Sequence, residues 1–235
     1  MDTQETRVDT FHALHATGCL VMPNPWDVGS ARVLEQLGFE ALATTSAGLA
    51  WSLGRGDAQV TLDAVLEHLR LVAGAVAVPV NEDFRDGYAV DPEGVAANVT
   101  MAVGTGIAGL SIEDYSGDDV DPLLGFDLSV RRMVAARRAI DQSGTNVLLT
   151  GRSEGFVYGR PDIDETIRRL QAYAEAGADC LYAPRIDNLE HVSAIVAAVS
   201  PKPVNLLINA PFTTAAEAGT FTRFTGLPDV EALLG

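Results

Sequence analysis

The sequence predicts an α/β fold, a (β/α)8 TIM-type barrel whose eighth unit is missing. Three observations carry this expectation. Short apolar runs alternate with longer amphipathic stretches, the pattern of βα units wound around a parallel sheet. A weak repeat, "GFEALATTS", "GIAGLSIED" and "GADCLYAP", starts each time with a glycine at a helix end and runs through an apolar strand into polar or special residues. The first strand is followed by "MPNPWDVGSA" instead of a glycine-rich phosphate fingerprint, which favours a barrel over an open doubly wound sheet.

Taken in order, the first unit is the apolar run Leu20 to Met22 with the helical stretch Asp27 to Leu37, which Gly38 ends. Ala41 to Thr45 and Thr61 to Val76 form the second, Val78 to Glu82 and Pro92 to Gly104 the third. Gly109 to Glu113 with Leu128 to Ser143, Asn146 to Arg152 with Ile163 to Ala176, and Cys180 to Ala183 with Leu189 to Val199 follow. Pro203 to Ile208 is the seventh strand. Each helical stretch is long enough to cross back over a sheet. An eighth apolar run is due after "TTAAEAG", yet the chain reads "TFTRFTGLPDVEALLG", broken by Gly226 and Pro228. Either the barrel is incomplete, or residues have been lost between about Ala215 and Thr220.

With 235 residues, 47% of them hydrophobic, the chain can bury one large core, so residues 1–235 are expected to form a single domain. No run of eighteen apolar residues occurs, and "MDTQETRVDTFHALHATG" lacks the basic start and apolar stretch of a signal peptide, so a cytoplasmic protein without a membrane partner is expected. A net charge of -16 repels phosphate backbones and argues against nucleic acid. A small molecule is the better partner. Cys19 and Cys180 sit in separate apolar runs with no metal-binding spacing and are expected to be buried thiols.

The chemistry is narrowed by what is scarce. The single lysine, Lys202, precedes a strand and so belongs to the barrel face away from an active site, which argues against Schiff-base chemistry. His12, His15, His68 and His191 all fall in helical stretches, where solvated or packed histidines are expected. Carboxylate, arginine, hydroxyl and backbone amide remain. These gather at strand ends: Thr45 and Ser46, Glu82 and Asp83, Glu113 and Asp114, Arg152 and Glu154, and Asn205. Acids crowded at adjacent strand ends are costly unless a cation lies between them, and oxygen ligands without His or Cys suit Mg²⁺ or Mn²⁺. Helix capping and loop solvation are the alternative for any one acid. Arg152 offers a fork for a carboxylate or phosphate, or alternatively an ion pair with Glu154 or Glu113. A metal facing an arginine describes a site for a small α-keto acid or a phosphorylated acid, in which the metal holds an enolate oxygen as charge develops.

"NPWDVGSARVLEQLGFEALATTSAGLAWSLGRGD", "GIAGLSIED", "LLTGRSEGF" and "ETIRRLQAYAEAGADCLYAP" together resemble the isocitrate lyase and phosphoenolpyruvate mutase superfamily in its phosphonomutase-like branch, to about residue 217. The resemblance implies a (β/α)8 barrel, Mg²⁺ or Mn²⁺, α-keto acid or enolate substrates, C-C or C-P bond cleavage, and a homo-oligomer. Position by position it implies that Asp83 and Glu113 bind metal, that Asp57 in "LGRGD" is the acid of the loop after the second strand, and that Arg152 meets the substrate anion. Thr45, Ser46 and Ala47 match the segment that holds the substrate's carboxylate and keto oxygens, and Asn205 joins them as a substrate-binding residue.

The departures shape the expected function. The second metal acid of the superfamily falls on Arg85, which either points into the site or turns out to pair with Asp86 or Glu82. The lyases' Lys-Lys-Cys-Gly-His segment is replaced by "DYSGDDVDPLLGFD", which argues against isocitrate or methylisocitrate cleavage. About thirty residues of the superfamily's eighth unit have no counterpart. The expectation is a metal-dependent lyase or decarboxylase-type enzyme for a small α-keto acid or a phosphonate, under a mobile lid from Tyr115 to Phe126. The alternative is a degenerate barrel that binds a dianion without turnover.

Overall fold

The computed structural model describes residues 3–118 and 120–208, and the backbone of 224–226. Eight strands form one parallel sheet: β1 (Leu20–Met22), β2 (Leu42–Ala43), β3 (Val80–Asp83), β4 (Gly109–Glu113), β5 (Leu148–Arg152), β6 (Cys180–Tyr182), β7 (Val204–Leu207) and β8 (Phe224–Gly226). Their order is β1-β8-β7-β6-β5-β4-β3-β2, so the sheet curls into an incomplete (β/α)8 barrel. Seven of these strands fall where apolar runs place them. The eighth is a three-residue strand drawn from "TFTRFTG", slotted between β1 and β7. Among the described residues this strand is all there is of the eighth unit, and the proposed break between Ala215 and Thr220 lies outside them. β1 and β2 share no ladder; the Ala43 N–H donating to Pro23 O at 3.0 Å and the Asn24 side-chain amide donating to Ala43 O at 2.9 Å bridge that seam.

Helices cover the outside: α2 (Val28–Gln36), α3 (Ser46–Ser52), α4 (Leu62–Ala75), α5 (Pro92–Val103), α6 (Phe126–Ser143), α7 (Ile163–Glu175) and α8 (Leu189–Val199), all after an N-terminal α1 (Gln4–Ala16). Polar side chains start most of them, with Asp27, Thr45, Thr61, Asp91, Asp162 and Asn188 each accepting a backbone N–H of the first turn. Strand side chains that face outward, such as Leu110 and Ile112, pack under these helices with Val99, Ile140 and Leu170 in one core.

α1, read as helical around His12 and His15 but given no bounds from the sequence, closes the floor of the barrel. Gln4 Nε2 donates to Val103 O and Ile107 O at 2.8 and 2.9 Å, and Arg7 Nη2 donates to Gly106 O at 3.1 Å. Phe11, fully buried, lies against Gly109, where an added Cβ would stand 2.6 Å from the ring and 2.5 Å from Asn81 Oδ1. Glycine at the start of β4 is therefore a packing requirement. His15 joins the cavity wall and stacks edge-on to Phe11 with ring centroids 4.4 Å apart. Cys180 is buried as expected, whereas Cys19 is exposed because it precedes β1 at the rim.

Candidate active site

The period of two along each strand decides which side chains enter the barrel. On β3, Asn81 and Asp83 face inward; Val80 and Glu82 are buried on the other side. Thr150 and Arg152 of β5, Cys180 and Tyr182 of β6, and Asn205 of β7 complete much of the wall. The register sets Arg152 beside Glu113 on one side and Tyr182 on the other, with Asn205 next to Tyr182. The cavity they line has a volume of about 180 Å³.

Arg152 is the hub. Its Nη1 lies 2.9 Å from Asp83 Oδ1, its Nη2 lies 3.4 Å from Glu113 Oε2, and its Nε donates to Glu154 Oε1. The guanidinium also lies 5.2 Å from the centre of the Tyr182 ring. The ion-pair reading of Arg152 is the one the structure displays, with Glu113 and Glu154 as partners, and the side chain also lines the cavity. Burial works against its charge, but Glu154, Glu113 and Asp83 together hold its pKa well above the ordinary value. Burial pushes the Glu113 carboxyl well above the carboxylate range against the pull of Arg152, and raises Glu154 in the same way.

A second group forms where α3 follows β2. The Ser46 N–H donates to Asp83 Oδ2 at 3.0 Å, and Ser46 Oγ donates to Asp57 Oδ2 at 3.2 Å. Arg85 turns neither to Asp86 nor to Glu82. Its Nη1 donates to Asp57 O at 2.9 Å and its Nε lies 3.8 Å from Asp57 Oδ2, so it clamps the short turn Asp57–Gln59 over the site. The left-handed backbone at Arg85, φ 47°, aims the side chain that way. Burial raises the Asp57 pKa while Arg85 opposes it.

The structure therefore brings Asp57, Ser46, Asp83, Glu113 and Arg152 into one connected cluster, with Thr45, Asp83, Arg152 and Asn205 on the cavity wall. Ala47, in the first turn of α3, does not line the cavity. Asn81 and Tyr182 do, and the sequence reading missed both. Asn81 stands two residues before Asp83, so strand alternation was the available signal; Tyr182 emerges only from the register with Arg152. The oxygens Oδ1 of Asn81 and of Asn205 are buried without a hydrogen-bond partner, leaving capacity for a ligand or water in the lumen.

The Tyr115 to Phe126 segment is tethered. Tyr115 pairs with Leu123 in an antiparallel bridge, the Leu124 N–H donates to Asp114 O at 2.9 Å, and Tyr115 stacks on Tyr158 with centroids 4.2 Å apart. Asp114 is a buried anchor beneath it: Tyr173 Oη donates to Asp114 Oδ2 at 2.7 Å, Arg169 Nη1 at 3.1 Å, and the Glu154 N–H donates to Oδ1 at 2.8 Å. Buried Arg132 donates to Glu113 O at 3.2 Å and to Asp86 O and Ala89 O, fixing the strand ends on which Asp83 and Glu113 sit.

The donor set suits a hard divalent cation in charge and chemistry. Four carboxyls, Asp57, Asp83, Glu113 and Glu154, face two guanidiniums, Arg85 and Arg152, and burial raises the Asp57, Glu113 and Glu154 carboxyls against the pull of those cations. Among the described residues no three acids, histidines or cysteines converge on one point. Mg²⁺ needs no such cage, because one or two carboxylates plus water and ligand oxygens suffice. Asp83, Glu113 and Glu154 share Arg152 as a common partner, and Asp83 and Glu113 are the two of them at the ends of adjacent strands.

Comparisons with known proteins agree with this geometry. A candidate lyase/mutase of Burkholderia cenocepacia J2315 superposes with a TM-score of 0.92 at 38% identity, covering 98% of this chain and 84% of that one. An oxaloacetate acetylhydrolase solved with its product oxalate superposes with a TM-score of 0.87 at 26% identity, covering 96% and 81%. The oxaloacetate decarboxylase of Bradyrhizobium diazoefficiens is 31% identical over 197 residues, 79% of this chain and 65% of that protein. The family model for phosphoenolpyruvate phosphomutase matches residues 11–223. With that match spanning most of the barrel and its strand-end cluster, the chain belongs to the phosphoenolpyruvate phosphomutase family.

Proposed function

We propose that this protein cleaves the bond between C3 and C4 of a small 2-oxo dicarboxylate of the oxaloacetate type, one carbon removed from the keto group, through an enolate, with a phosphonate such as phosphonopyruvate as the alternative substrate. The observation that carries this is Arg152, set between Asp83, Glu113 and Glu154 over a cavity of about 180 Å³. That volume corresponds to roughly six waters at about 30 Å³ each, room for a small diacid and little more. Relatives named oxaloacetate decarboxylase and oxaloacetate acetylhydrolase support the substrate class.

Asp83 and Glu113 would hold Mg²⁺ or Mn²⁺, which when bound withdraws electron density from the keto group and lowers the energy of the enolate. The residues of the chain supply the rest. Arg152 receives the substrate anion, and the Thr45 and Ser46 end of β2 lies alongside it with hydroxyl and amide groups. In decarboxylation the C3–C4 bond breaks, its electron pair enters the enolate, and carbon dioxide leaves. The enolate then takes a proton at C3. Tyr182, a cavity-wall phenol held protonated by burial, is a proton source on this wall, and Asp57, whose carboxyl burial raises, is a second one joined to the cavity-wall Asp83 through Ser46.

Purified protein with Mg²⁺ and oxaloacetate, followed by proton NMR, tests this reading. Pyruvate formation above the buffer rate indicates decarboxylation, and oxalate with acetate indicates hydrolysis. No consumption of either oxaloacetate or phosphonopyruvate would refute turnover. Arg85 favours a second reading for that case, a barrel that binds a dianion without reaction, since it ties down Asp57 with a cation at the strand ends.

A further inference from the structure

Arg152 stands where the strand-end acids converge. One guanidinium contacts Asp83 at 2.9 Å, Glu113 at 3.4 Å and Glu154, and it is nearly enclosed, with its side chain 16% exposed. A divalent cation taking Asp83 and Glu113 would meet this positive charge within a few ångströms, and the two like charges repel. An anion in the cavity offers the guanidinium another partner on the side facing Tyr182 and Asn205.

We propose that Arg152 is the resident counter-cation of the acid cluster and competes with the divalent ion for Asp83 and Glu113, so that cation and dianionic ligand bind as a cooperative pair. This rests on the reading above, in which the strand-end acids hold a metal and Arg152 meets the substrate. The ligand draws the guanidinium away, and the two carboxylates it releases become free for the cation. Linkage then requires each partner to tighten the other by the same factor.

The test is calorimetry with Mn²⁺ alone, oxalate alone and each at saturating concentrations of the other, corrected for the Mn²⁺–oxalate complex formed in the same buffer. For the wild type, oxalate is expected to tighten Mn²⁺ by about 5- to 150-fold, with the same factor in the reverse direction. Arg152→Gln removes the competitor, so Mn²⁺ alone should bind roughly fivefold or more tighter than to the wild type, and the coupling factor should fall toward one. Arg152→Lys, whose single ammonium cannot span three carboxylates, serves if the glutamine variant does not fold, and it should show the same changes in smaller measure. If Arg152→Gln or Arg152→Lys takes Mn²⁺ no tighter than the wild type, or the two ligands bind the wild type independently, the competition is refuted while the site stands. If the wild type binds neither ion nor anion, the functional reading fails and this inference with it.

Discussion

Glu82 and Asp83 are adjacent in β3 and meet opposite surroundings. Asp83 faces the cavity, while Glu82 is sealed behind the strand, where Thr44 Oγ1 donates to its carboxyl. Burial pushes the Glu82 pKa up to about 8, so the folded protein holds a proton there that the unfolded chain, with a pKa near 4.5, gives up. The stabilisation from the protonated form is full below the unfolded pKa and is lost as pH rises through about 8. Urea melts of wild type and Glu82→Gln at pH 5, 6.5 and 8 check this. The variant should lose a share of the downward slope of up to about 1.4 kcal/mol per pH unit. Equal slopes would mean that Glu82 is ionised in the folded state. Arg85 is the other residue whose role depends on its surroundings. Arg85→Gln should release the turn at Asp57–Gln59, cost about 1 to 3 kcal/mol, and speed amide exchange there while leaving exchange in β5 unchanged. Sequence pattern could place Glu82 and Arg85 at a strand end, but neither which side of the sheet buries the first nor which acid receives the second is written in local spacing.

The elements themselves were legible to different degrees. β4 and β5 read as largely apolar runs ending in charge, and α4 to α8 as amphipathic stretches because each buries one face over several turns. α3 escaped notice, since a seven-residue helix directly after a strand has too little period to show. α1 read as helical only around His12 and His15, without bounds, for a related reason: its buried residues are few, Val8, Phe11 and His15, and what holds it is long-range contact near the start of β4. That contact is testable. Gly109→Ala would push a methyl group to within 2.6 Å of Phe11 and 2.5 Å of Asn81 Oδ1 and should cost about 1 to 3 kcal/mol in thermal or urea unfolding. Phe11→Ala in the Gly109→Ala background should then cost less than in the wild type, because the two changes share one space. Strict additivity would place Phe11 away from the barrel floor.

At the scale of the molecule, a chain with 32 acidic and 16 basic residues concentrates a paired set of both signs at the C-terminal ends of three neighbouring strands. The repeated βα pattern made the barrel and its catalytic face readable, and the family resemblance named Asp83, Glu113, Arg152 and Asp57. Ring closure was harder to read, because β8 has only three residues and owes its place to the gap between β1 and β7. No helix among the described residues is long and apolar enough to cross a membrane. The crystal structure of the protein grown with Mn²⁺ and oxalate bears most directly on how this cluster works. An anomalous Mn²⁺ peak beside Asp83 and Glu113, with oxalate in the cavity and the Arg152 guanidinium turned onto it, is the expected result. A Mn²⁺ peak elsewhere, or oxalate bound outside the cavity with Arg152 still bridging Asp83 and Glu113, would contradict it.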